Sequence, residues 1–269
     1  MEYYAYYNLK MDPFVKNSLI GHQPFQSNDY DLAINQMEKA ADRNGLCVIT
    51  GKSGCGKSQA THRFISNIEA SCHVCISIEP GEIPPTDFYK LICTELHIDP
   101  TGKLAAVRAN VKRHVKDYYT RKRPLILIIN EAQDLSPKTL KELRNLMSYD
   151  NDTLDAMTLI LVGEPRLYRI LQSKEELHSL FERITNYYVL SGLKSDEIKA
   201  YVAHKLSFAG GSDVLVDEAV YPLLSEYGDG NSRKVDKIMT NAMAYSAQLG
   251  RKLIDAEAAK YAIDHLPGV

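Results

Sequence analysis

Residues 46–61 read Leu46-Cys47-Val48-Ile49-Thr50-Gly51-Lys52-Ser53-Gly54-Cys55-Gly56-Lys57-Ser58-Gln59-Ala60-Thr61. An apolar, β-rich run leads into G-x-x-x-x-G-K-[ST], and a helix-forming stretch follows; this is the context in which that motif binds phosphate. Glycines let successive backbone N–H groups turn inward around an anion, and the helix N-terminus adds the positive end of its dipole. Gly51, Ser53, Gly54, Cys55, Gly56, Lys57, Ser58 and Gln59 are therefore the candidate cradle for a nucleoside triphosphate, ATP by expectation. In such a loop the lysine, here Lys57, reaches the β- and γ-phosphates, and the hydroxyl, here Ser58, ligates Mg²⁺. The competing reading is a Gly-rich turn with no ligand; the flanking strand and helix weigh against it.

Outward from this loop, apolar runs alternate with longer amphipathic stretches as far as about residue 190. That alternation predicts a parallel sheet with helices on both faces. The spacing predicts strands over 46–50, 74–79, 125–130, 158–163 and 186–190, each hydrophobic enough for burial on two faces. Helices are predicted over 29–44, 57–70, 85–96, 105–120 and 137–148, with a short one near 165–171. After Gly192 only helical patterns remain, with Ser195, Asp217, Ser232 and Asp255 as start signals and Gly210-Gly211, Gly228 and Gly250 as stops. The expected organisation is an N-terminal segment 1–28 packing on the nucleotide site, an αβα core 29–192 and a small helical lid 193–269.

A second motif completes the first. Leu125-Ile126-Leu127-Ile128-Ile129 delivers Asn130 and Glu131 at the C-terminal end of a strand, where parallel sheets place their ligands. Glu131 is the candidate to polarise an attacking water, a general-base role worth roughly 10²–10⁴-fold in rate. Asn130 stands where such sites normally carry the Asp that holds Mg²⁺ through water; an amide accepts a hydrogen bond but brings no charge. Weaker metal binding, slow turnover, or both are expected.

The 269 residues suffice for one large α/β domain with a helical appendage. No stretch approaches the roughly 18 apolar residues that span a bilayer, and the first 17 residues lack a signal peptide's pattern, so the expected compartment is the cytoplasm. Five cysteines, an odd number within one stretch, argue for reduced thiols rather than a disulfide framework. Cys72 and Cys75 have metal-like spacing, but no second pair accompanies them and the run reads better as a strand.

The net charge is −2, yet between Lys103 and Arg123 eight basic residues face one acid. Arg108, Lys112 and Lys116 recur every four residues on one helical face, and Arg121, Lys122 and Arg123 follow in a loop. Two readings fit: phosphate contacts to duplex DNA, which are salt-dependent and sequence-independent, or a solvated helix face with a basic last turn.

Glu131-Ala132-Gln133-Asp134-Leu135, Leu140-Lys141-Glu142-Leu143-Arg144, Leu161-Val162-Gly163-Glu164-Pro165 and Phe181-Glu182-Arg183-Ile184 together resemble the ExeA-like AAA+ ATPases. The opening Tyr6-Tyr7-Asn8-Leu9-Lys10-Met11-Asp12-Pro13-Phe14 is similar to that family's N-terminal segment. The resemblance implies an α/β P-loop NTPase of AAA+ type: a parallel five-stranded αβα sandwich with a C-terminal helical lid. It places Arg183 at the arginine finger, which reaches the γ-phosphate of a neighbouring subunit, and Arg233 at the lid's sensor arginine near the nucleotide; each also fits a solvated surface arginine. Glu164 stands at the first-sensor position, where the family usually has Gln.

The family holds both secretion-pathway ATPases and ATPases that work beside transposases, relatives of TniB, TnsC, IstB and MuB. Ending just after the lid, the chain resembles the second branch. That branch implies rings or filaments around duplex DNA, an integrase-like transposase partner, slow DNA-stimulated hydrolysis and no membrane contact. The alternatives are a cytoplasmic ATPase of a secretion or envelope pathway acting on protein partners, and a nucleotide switch with little hydrolysis.

Overall fold

The computed structural model describes residues 2–15 and 25–267. Residues 1 and 16–24 of the expected N-terminal segment, and 268–269 of the expected lid, lie outside the described residues. Five strands form one parallel sheet: β1 (Leu46–Gly51), β2 (Val74–Ile78), β3 (Leu125–Ile129), β4 (Met157–Gly163) and β5 (Ile184–Leu190), in the order β2-β3-β4-β1-β5. The three central strands, β3, β4 and β1, are buried at every position. The two edge strands are not: β5 alternates half-buried with exposed residues, and β2 is only partly covered. The expectation of two-sided burial thus holds for the strands with a neighbour on each side and fails at the edges.

The α-helices of the first part are α1 (Tyr3–Tyr6), α2 (Asn28–Ala41), α3 (Lys57–Asn67), α4 (Pro85–Glu95), α5 (Leu104–Thr120), α6 (Pro137–Met147), α7 (Pro165–Ser173) and α8 (His178–Phe181). Alternate strand residues, among them Leu46, Val48, Leu125, Leu127, Leu159 and Leu161, share one core with Phe88 and Ile92 of α4, Val107, Val111 and Val115 of α5, and Leu140 and Leu143 of α6. The intervening residues Cys47, Ile49, Ile126, Ile128 and Ile160 are also inaccessible. This is the pattern of a sheet covered on both faces.

The chain divides into two compact units: a sheet unit of 31–52 and 57–190, and a helical unit of 1–30, 53–56 and 191–269. The helical unit holds α9 (Ile198–Phe208), α10 (Val220–Gly228), α11 (Ser232–Gln248) and α12 (Ala256–His265) around Val202, Leu206, Leu224, Ile238, Met239 and Ala262. The N-terminal segment shares this core through Tyr7, Leu9 and Phe14, and the Tyr7 hydroxyl donates to the Met243 carbonyl at 2.7 Å.

The start signals partly differ from those predicted. Asp255 caps α12 as expected, accepting from the Ala258 N–H. Ser232 opens α11 as expected, and Asn231 before it is the cap, accepting from the Arg233 and Lys234 N–H groups. Ser195 caps nothing; its Oγ accepts from Ser225 and α9 begins at Ile198.

Candidate nucleotide site

Gly51 ends β1 and Lys57 opens α3. The intervening turn uses Gly54 at φ 79° and Gly56 at φ 99°, left-handed backbone that costs an L-residue with a side chain roughly 1–2 kcal/mol. Space demands glycine as well. Within the helical unit, a Cβ on Gly54 would lie 2.0 Å from Asn231 Oδ1, and one on Gly56 would lie 2.5 Å from the Tyr30 ring.

Lys57 is 7% exposed. Its Nζ donates to the carbonyls of Gly51 at 2.8 Å and Lys52 at 3.2 Å, both neutral acceptors. Among the described residues no carboxylate pairs with this ammonium, so an anion would add compensation that the two carbonyls do not supply. The sheet unit thus holds a cation at the start of a helix, poised for an anion. Ser58 and Gln59 are exposed in the first turn of α3, whereas Cys55 is buried.

Residues 53–56 are bound within the helical unit by the start of α11. Asn231 Nδ2 donates to the Ser53 carbonyl at 2.9 Å, and both the N–H and the hydroxyl of Ser232 donate to the Gly54 carbonyl at 3.1 Å. Arg233 Nη1 lies 3.5 Å from Ser53 Oγ, which sets the predicted sensor arginine beside the loop.

The ends of β3 and β4 supply the other half of the chemistry. Register places Gly163 opposite Thr50 of β1 and Leu161 opposite Ile129 of β3, so the turn after β4 lies between the phosphate loop's start and Asn130-Glu131. Asn130 Nδ2 donates to Ser77 Oγ of β2 at 2.9 Å, leaving Oδ1 as the acceptor. Glu131 is left-handed, at φ 48° and ψ 40°. Its carboxylate accepts from Gln133 Nε2 at 2.7 Å, and Gln133 Oε1 accepts the Glu164 N–H at 2.9 Å. The Glu164 carboxylate lies 3.9 Å from Arg166, which also pairs with Asp134. A carboxylate at the first-sensor position thus faces a cation of its own turn.

Arg183, just before β5, is held by Asp152 at 2.7 Å; Arg144 pairs with the same carboxylate at 2.7 Å. The Asp152 carboxyl is kept below its ordinary range by a hydrogen bond from Ser148, then by Arg183 and Arg144. The basic row of α5 aligns on one face as its spacing predicts, but that face is turned toward α6 and the turn after it. Arg108 pairs with Glu142 at 2.9 Å, Lys112 donates to the carbonyls of Asn145 and Ser148 and lies 4.8 Å over the Tyr149 ring, and Lys116 pairs with Asp150 at 2.6 Å. Neither of the two sequence readings anticipated these partners. Arg121, Lys122 and Arg123 are exposed; Arg121 pairs with Asp117 at 2.9 Å and Arg123 donates to the Ala70 carbonyl at 2.6 Å.

Cys75 lies within β2 and Cys72 is exposed just before it, and among the described residues no group of three or more His, Cys, Asp or Glu is placed to hold a metal. Among the described residues no helix is long and apolar enough to cross a membrane.

Residues 40–171 match the model of a family described as AAA domain. The fold is that of an AAA+ ATPase. Over 97% of its length the chain superposes on 73% of the Aeropyrum pernix ORC2 protein, solved as ADPNP-ADP complexes, with a TM-score of 0.66 at 14% identity. It likewise covers 98% of its length on 65% of a chain of Drosophila ORC bound to DNA, with a TM-score of 0.68 at 13% identity. In sequence it is 24% identical over 204 residues to general secretion pathway protein A of Aeromonas hydrophila, covering 75% of this chain and 37% of that relative. The five parallel strands and the turn between β1 and α3 were legible beforehand, whereas the strand order was not read; Ser77, Gln133, Arg166 and Asp152 were not assigned roles. Gln133 lay inside the quoted Glu131–Leu135 run, which gave no sign of what it holds.

Proposed function

We propose that this AAA+ chain binds ATP with Mg²⁺ on residues 51–58 and hydrolyses it slowly, using the cycle to control its assembly with other copies. The observation that carries the reading is the buried Lys57 ammonium, whose hydrogen bonds among the described residues go to neutral carbonyls at the end of β1. Ser58 and the Oδ1 of Asn130 are neutral oxygen donors suited to a hydrated Mg²⁺ whose charge is balanced mainly by phosphates. When bound, the metal would offset charge on the β- and γ-phosphates. Glu131 orients and deprotonates the attacking water, Arg233 contacts the phosphates, and Arg183 completes the pocket of an adjoining copy.

At the finer level we keep the DNA-binding transposition helper as the leading reading. The AAA+ resemblance and the likeness to a chain of ORC solved with DNA support it, as does the exposed turn Arg121-Lys122-Arg123. Arg108, Lys112 and Lys116 give it less weight, since each already has a partner within the sheet unit. The second reading, an ATPase of a secretion pathway acting on protein partners, is favoured by the named relative. Fluorescence anisotropy with labelled duplex DNA separates the two. ATP-dependent binding that weakens with salt and is lost in Lys57→Ala supports the first; no binding at low salt with ATP turnover intact supports the second.

A further inference from the structure

The turn Ala132–Asp134, directly after Glu131, carries a glutamine that is 7% exposed. A single side-chain amide there ties two strand ends together: Nε2 donates to the Glu131 carboxylate and Oε1 accepts the Glu164 N–H. The orientation is forced, because a flipped amide would set oxygen against carboxylate and N–H against N–H. Room for it is also specific. A Cβ on Gly163 would lie 2.4 Å from Gln133 Oε1, although Gly163 is not among the glycines at positive φ. Glycine at 163 therefore keeps a seat for the amide, not a backbone angle. The Glu131 backbone is left-handed, a state that persists in a non-glycine residue only where its surroundings fix it.

We propose that Gln133 is the positioning residue for Glu131. It holds the carboxylate in one rotamer and, through the Glu164 N–H, ties that rotamer to the position of the turn between β4 and α7. The inference rests on the reading of Glu131 as the water-activating group. A charge-assisted hydrogen bond to the carboxylate is roughly twice as strong as a neutral one, enough to fix a side chain that otherwise samples several rotamers. Displacing a catalytic group by about 1 Å can slow a reaction by about 10²-fold. Glu131 would remain present in the variant but would be poorly aimed.

The test combines turnover, nucleotide affinity and a double-mutant cycle. Gln133→Ala should lower kcat about tenfold or more while the dissociation constant for ATP stays within about twofold, because the loop at 51–58 is untouched. In a Glu131→Gln background the same change should alter single-turnover hydrolysis by less than about twofold, since a residue acting through Glu131 has nothing left to position. A merely structural glutamine would instead give losses that multiply. Gly163→Ala should reproduce the Gln133→Ala loss and serves in its place if Gln133→Ala does not fold. Unchanged kcat in Gln133→Ala, or multiplying losses in the cycle, would overturn the inference while leaving the ATPase reading intact. A wild-type protein that binds ATP and never hydrolyses it would remove that reading, and the inference with it.

Discussion

The turn after β1 and the paired turns after β3 and β4 leave the same end of the sheet, yet they are built on opposite plans. The first is a single contiguous run with two left-handed glycines and a buried lysine, which would supply the proposed phosphate contacts together with backbone amides. The second is a side-chain network in which Asn130 leans on Ser77, Glu131 on Gln133, and Glu164 on Arg166. On the proposed reading a phosphate would be held by a contiguous run of the chain, although Asn231 and Ser232 also brace residues 53 and 54 of that run. The proposed direction of a water would draw on groups after separate strands, so exchanging one of them is expected to leave nucleotide binding by the loop in place.

The largest way to sharpen that contrast is Glu131→Gln. Hydrolysis should fall on the order of 10³-fold while ATP affinity is unchanged, measured as phosphate release beside an equilibrium binding isotherm. A parallel loss of affinity would join the two regions into one.

Arg183→Ala comes next, with turnover reduced on the order of 10²-fold by loss of a charged transition-state contact. Mixing it with Lys57→Ala should restore part of the activity, since each copy supplies what the other lacks. No recovery on mixing would confine Arg183 to its own chain, where Asp152 already holds it. The smallest expected change is Asn130→Asp, which adds the missing charge and would accept from the Ser77 hydroxyl where the amide donates to it. Half-saturation for Mg²⁺ should fall several-fold with little effect on ATP affinity at saturating metal, read from turnover against metal concentration.

The same contrast governs what could be read from sequence. The strand–turn–helix around residues 51–58 was legible because an apolar run, closely spaced glycines and a helix-forming stretch follow one another. The central strands were legible because Leu125–Ile129 and Met157–Gly163 are buried at every position. The edges were misjudged as two-sided, since residues such as Tyr187 and Val189 are apolar yet exposed. Gln133 could not be singled out, because its partners are a carboxylate two residues away and an N–H in the turn after β4. Likewise the basic row of α5 showed its spacing but not Glu142 or Asp150, which answer it from distant positions.

The central claim is that the Lys57 ammonium waits for a triphosphate. Titration of a fluorescent ATP analogue with Mg²⁺ into the wild-type chain and Lys57→Ala, with folding checked by thermal melting, tests it directly. The account predicts saturable binding to the wild type and roughly hundredfold weaker binding to the variant. Equal binding by two folded proteins, or none by the wild type, would contradict it.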